Sequence, residues 1–113
     1  MSKLQEKVML YQKFMDDRDL SVNLELLTAV TKGLGPSIYK ADAETVSGSD
    51  SKELATVKNN FLIKKLGLSD NDALDAGIEE VMHTIGKSER KKYRAVVYYL
   101  LVKKFGKESI YNL

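Results

Sequence analysis

The sequence predicts an all-α fold, a single-domain bundle of four to six short helices with no sheet. Three observations predict it. Apolar residues recur three and four positions apart through most of the chain, the spacing that lines one side of a helix. The periodic segments open on Ser, Asp or Asn and close on Gly, the usual start and stop residues of helices. The one strongly β-like run, Ala95 to Val102, lies inside a longer segment whose caps and spacing favour helix.

Taken in order, Leu4, Val8, Tyr11 and Met15 predict a first amphipathic helix near residues 3–15, stopped by the polar run Asp16-Asp17-Arg18-Asp19. Asp19 or Ser21 then caps a second helix that buries Leu24, Leu27 and Val30 and ends at Gly33, Gly35 and the lone Pro36. Residues 36–49 read as a connector with some helical turns, closing on Ser47-Gly48-Ser49.

The most fully punctuated stretch follows. Asp50 and Glu53 form a variant capping box, Leu54, Val57, Phe61 and Leu62 make the buried face, and Lys64, Lys65 and Gly67 close the helix. Ser69 and Asp72 cap the next helix, expected from Asp70 to Ile85, which buries Leu74, Ile78, Val81, Met82 and Ile85. Gly77 within it costs about 1 kcal/mol against Ala and suits close approach of a neighbouring helix. Gly86 and Ser88 separate it from the most hydrophobic helix, expected from Glu89 to Phe105 and closed by Gly106. The tail, residues 107–113, carries Ile110, Tyr111 and Leu113 and either docks on the bundle or frays.

Composition bounds the function. With 113 residues the chain is long enough to bury roughly 65% of its unfolded surface without a staple. It has no Cys and no Trp, so disulfides, thiolate metal sites and thiol nucleophiles are excluded. No run approaches the roughly 20 apolar residues of a membrane span, and charges interrupt the N-terminal segment, so a soluble cytoplasmic protein is expected. The net charge is only +2, but acidic residues predominate from Asp42 to Glu80 and basic ones from Lys87 to Lys107.

The segments Ser49 to Leu68 (SDSKELATVKNNFLIKKLGL), Leu74 to Val81 (LDAGIEEV) and Arg90 to Lys107 (RKKYRAVVYYLLVKKFGK) resemble a bacterial domain-of-unknown-function family (DUF2853-like). The likeness covers roughly the C-terminal two thirds of the chain. It implies a small helical protein and carries no activity, cofactor or catalytic residue with it.

Candidate chemistry is sparse. Glu80 and His83 have the Glu-x-x-His spacing of carboxylate-bridged metal centres, but there is no second histidine to complete one. Asp70, Asp72 and Asp75 invite a calcium loop, yet Leu74 occupies a ligand position, so helix capping accounts for them better. Gly33-Leu34-Gly35-Pro36 lacks the spacing of a phosphate loop, and no Gly-x-Ser-x-Gly elbow is present. No metal, no cofactor and no enzymatic activity are expected.

What remains is binding. Lys87, Arg90, Lys91 and Arg94 would stand at a helix N-terminus, where their charges oppose the macrodipole unless an anion or an acidic neighbour compensates. They either contact phosphates or an acidic partner, or pair with the acidic helix bearing Asp75, Glu79 and Glu80. Tyr98 and Tyr99 sit on a helix with a wide apolar arc: either one of them points outward and suits a homodimer or a helical partner, or both are buried against the other helices with their hydroxyls reaching the surface. The expectation is a cytoplasmic protein-interaction or self-associating module, its protein partner unknown. The alternative is weak nucleic-acid or acidic-partner binding through residues 87–94.

Overall fold

The computed structural model describes residues 2–112, and among them six α-helices form the expected bundle. They are α1 (Lys3–Asp16), α2 (Leu24–Gly33), α3 (Ala41–Glu44), α4 (Ser51–Thr56), α5 (Asp72–Ile85) and α6 (Arg94–Phe105). A π-helical segment, Val57–Lys65, continues α4, and short 3-10 turns span Gly35–Tyr39 and Glu108–Tyr111. The described residues form no sheet, the only β contact being an isolated antiparallel bridge between Thr45 and Tyr93. No helix is long and apolar enough to cross a membrane.

The core is built around α6, whose Ala95, Val96, Val97, Tyr98, Tyr99, Leu101 and Val102 are all buried. Seven buried residues in one twelve-residue helix leave no single apolar side, because α1, α2, α3 and α5 surround it. Helix α5 crosses α6 at Gly77, where a Cβ would lie 2.6 Å from the Phe105 ring. The absent side chain is what lets the two helices approach. Helix α1 is one-sided by contrast, burying Val8, Tyr11 and Met15 and turning its other face to solvent.

The π segment has a reason in the sequence. Val57 and Leu62 are five residues apart, as are Phe61 and Leu66, and in an α-helix such pairs diverge by about 140°. Widening the turn to i→i+5 bonding, seen in the Leu66 N–H donating to the Phe61 carbonyl at 2.9 Å, brings all four to one buried side. Phe61 then stacks on Tyr98, ring centroids 3.8 Å apart.

Several helix starts differ from expectation. Helix α2 is capped by Asn23, whose side chain accepts from Leu26 N–H; Asp19 adopts positive φ, and the Ser21 carbonyl accepts from the Tyr99 hydroxyl. Helix α5 is capped by Asn71 and begins at Asp72, while Asp70 is drawn away by Lys58 at 2.9 Å. Asp50 caps α4 as expected, but Glu53 does not reach back to it: its carboxylate pairs with Arg94 at 2.6 Å.

The connector carries one 3-10 turn and α3, and its Glu44 carboxylate accepts from the buried Tyr11 hydroxyl at 2.6 Å. Burial, reinforced by that bond, pushes the Tyr11 hydroxyl well above the usual tyrosine range. The tail docks through Tyr111, which packs on the core against Gly33; burial, with Tyr98 nearby, pushes its hydroxyl up to about 12.

Candidate interaction surfaces

The largest correction concerns the basic run. Helix α6 does not begin near Glu89 under a Ser88 cap; it begins at Arg94, with no side-chain cap. Residues 86–93 form a loop instead, turned by Gly86 at φ 113° and held extended at its end, where Val46 N–H donates to the Lys92 carbonyl at 2.8 Å. The buried stem of Lys92 lies against Gly48, 3.1 Å from where a Cβ would be, and near Met82. Its ammonium donates to the carbonyls of Lys87 and Glu89. This strapping outcompetes a helical start, and it satisfies a buried charge with peptide oxygens.

The six candidate binding residues therefore separate. Lys87 pairs with Glu79 of α5, and that contact holds the Glu79 carboxyl below the usual carboxylate range. Arg94 is internal wiring: it donates to the Ala43 carbonyl at 2.9 Å and the Tyr98 hydroxyl at 3.2 Å, besides pairing with Glu53. It joins α3, α4 and α6. Tyr98 and Tyr99 are both buried, which decides between the two readings against an outward-facing tyrosine. Their surroundings decide this: Phe61 covers Tyr98, and the Tyr99 hydroxyl accepts from Asn23 N–H at 2.7 Å.

Only Arg90 and Lys91 remain exposed and, among the described residues, without an ion pair. Arg90 lines a cleft of about 610 Å³ between the Val46–Ser49 segment and the 87–92 loop, with Ser47, Ser49 and Ser88 among its other lining residues. Asp42, Glu53 and Glu89 line it too, but Glu53 is taken by Arg94 and Glu89 by Arg18. The Lys91 backbone N–H holds the Glu89 carboxyl below its usual range, with Arg18 adding to the effect.

The acidic and basic halves of the chain neutralise one another in space. Besides the pairs above, Lys104 meets Glu80 at 2.6 Å, and within the acidic half Lys58 bridges Asp70 and Asp75. His83 is exposed, the carboxylates flanking it are directed to Lys87 and Lys104, and no three acidic or histidine side chains converge among the described residues.

A second surface was not singled out in the sequence. Of the five large hydrophobic residues most exposed among those described, three lie together on α1 and the start of α2: Met9 at 53%, Leu10 at 40% and Leu24 at 48%, the last against the expectation that it joins Leu27 and Val30 in the core. Between the two helices runs a groove of about 330 Å³ lined by Leu4, Gln5, Val8, Met9, Leu24 and other uncharged side chains. Pattern alone gave a partial signal, since Met9 and Leu10 fall opposite Val8, Tyr11 and Met15 on the helical wheel.

No curated protein matches the chain. A family model described as a protein of unknown function, DUF2853, matches residues 10–109, so that all of α2 to α6 and the second half of α1 lie within it. The chain belongs to that family.

Proposed function

We propose that the protein is a non-catalytic cytoplasmic interaction module that works by self-association. One observation carries this reading: the outer face of α1 and the adjoining groove present clustered methionine and leucine to solvent, while the rest of the apolar inventory is largely gathered into the core. Contiguous exposed apolar surface rimmed by charges is how association surfaces present themselves. Sedimentation equilibrium across a wide concentration range tests it. A concentration-dependent dimer that persists at raised salt supports the reading, and a monomer at every concentration overturns it.

A second reading rests on the 87–92 loop. Arg90, beside serine hydroxyls on the cleft, and the exposed Lys91 next to it in sequence suit a carboxylate-bearing segment of an acidic protein. Two unpaired cations give a counterion-release slope of only about two, far below that of a dedicated nucleic-acid surface. A labelled oligoglutamate peptide titrated at low salt, against the protein and its R90E/K91E variant, tests this reading. Binding lost in the variant supports it; equal binding, or none, removes it. Short DNA and RNA duplexes in the same assay test the nucleic-acid alternative.

A further inference from the structure

The outer face of α1 carries a regular order of charged and apolar residues. Opposite the buried Val8, Tyr11 and Met15, residues Glu6, Met9, Lys13 and Asp16 follow one another at spacings of three, four and three, with Leu10 and Asp17 beside them. The spacing keeps them on one stripe of the helix, with Met9 and Leu10 as an apolar centre and charged residues on either side of it. All six residues line a shallow concavity on that face and are exposed.

The order of charges along the seam distinguishes the ways in which two copies can meet. In a parallel pair about a two-fold axis, Glu6 meets Glu6, Lys13 meets Lys13 and Asp16 meets Asp16, so each charged level is repulsive. In an antiparallel pair centred between Met9 and Leu10, position n faces position 19 − n. Glu6 then meets Lys13 of the second copy, twice by symmetry, and Met9 and Leu10 of both copies close the centre. Asp16 and Asp17 come level with Lys3 and the positive end of the macrodipole of the opposite helix, whose first turn also carries Glu6, engaged by Lys13.

Resting on the self-association reading, we infer that two copies pair antiparallel through α1, with Met9 and Leu10 at the two-fold axis and reciprocal Glu6–Lys13 contacts on either side. The groove between α1 and α2 opens on the Met9 edge of the seam, so the axis brings both grooves and both Leu24 side chains to one side of the pair. The internal Lys13–Asp17 contact, 3.4 Å between largely exposed groups, is too weak to hold Lys13 back. A 14-residue helix is only about 21 Å long, so the pair buries less than a standard interface and forms reversibly with concentration. Residues 3–9 precede the stretch matched by the family model, so part of this seam lies outside what that model describes.

Charge exchange tests the register. Glu6→Lys and Lys13→Glu are each expected to weaken the dimer roughly fivefold or more in sedimentation equilibrium, because each creates two like-charge contacts. The E6K/K13E double variant is expected to restore it. The natural chain has no cysteine, so single substitutions report geometry directly. Met9→Cys lies beside the axis and is expected to form an intersubunit disulfide on oxidation. Asp16→Cys places its two sulfur-bearing positions about 20 Å apart along the helices, beyond bridging, whereas a parallel pair would bring them together. A dimer that ignores the charge exchange, or that crosslinks through position 16 and not through position 9, overturns the register and leaves self-association standing. A monomer for the natural chain at up to about 1 mM overturns both. All four positions are exposed, and circular dichroism confirms that each variant folds.

Discussion

Helices α1 and α6 are of similar length and both carry apolar side chains on more than one face, yet one is the edge of the bundle and the other its centre. In α6 even the tyrosines are buried, their hydroxyls bonded to Arg94 and to the backbone near Asn23. In α1 three apolar positions enter the core while Met9 and Leu10 stay in water. Apolar content alone does not locate an interface. Besides the richer apolar content of α6, the two helices differ in how many neighbours cover them, four elements around α6 against chiefly α2 on one side of α1.

The largest effect is expected where that coverage is complete. Leu101, fully buried at the middle of α6, should cost about 2–5 kcal/mol as Leu101→Ala, since the surrounding helices relax only partly into the cavity. Urea denaturation measures it. A loss below about 1 kcal/mol would mean that α6 is not the packed centre and would dissolve the contrast with α1.

Next comes the α5–α6 crossing. Gly77→Ala adds a Cβ 2.6 Å from the Phe105 ring, an overpacking cost of about 1–3 kcal/mol set against a helix-propensity gain of about 1 kcal/mol. A net loss of roughly 1 kcal/mol is expected because the ring, only partly buried, can turn aside. Pairing the substitution with Phe105→Leu should recover most of it. If Gly77→Ala is stabilising, the glycine serves no packing role.

Much of this fold was legible in the sequence because helix type and core membership depend on spacing. Val8, Tyr11 and Met15, and Leu74, Ile78, Val81, Met82 and Ile85, are buried as their periodicity requires, and Asp50 caps α4 where it should. The misplaced features depend on partners remote in the chain. Ser88 looks like a cap until Lys92 is seen to strap the loop through Gly48, forty-four residues back in sequence, and Arg94 looks like a surface cation until Glu53 and Ala43 close on it. The π segment was hidden in plain view: its five-residue intervals break α-periodicity, and only the requirement to bury Val57, Phe61, Leu62 and Leu66 together makes them informative. The site residues were the least legible, because exposure is what remains after every other contact is made.

A smaller, pH-dependent effect joins the two helices. Glu89, on the loop before α6, pairs with Arg18 just beyond α1, and its carboxyl is held below its ordinary 4.5, first by the Lys91 N–H and then by Arg18. A carboxyl lowered in the folded state stabilises it above the unfolded pKa and loses that contribution as pH falls through the folded one. Natural chain and Glu89→Gln should therefore differ in thermal midpoint at neutral pH and converge in acid, below the ordinary glutamate pKa. A difference that persists unchanged into acid would assign the stabilisation to packing instead of charge.

The smallest effect on stability is expected at the exposed seam, and there the smallness is the point. Leu10→Asp removes an apolar side chain that the monomer leaves 40% exposed, so urea denaturation should change by no more than about 0.5 kcal/mol. The same substitution places two carboxylates at the centre of an α1 pair, where they meet each other and the apolar side chains of both copies. Self-association should be abolished while folding is untouched. That separation is what Leu101 cannot show, since damage to α6 lowers folding and assembly together. If Leu10→Asp instead destabilises the monomer by 1 kcal/mol or more, the outer face of α1 is covered from within the same chain and the contrast between the two helices fails. Should stability and dimer both survive the substitution, self-association belongs to another surface.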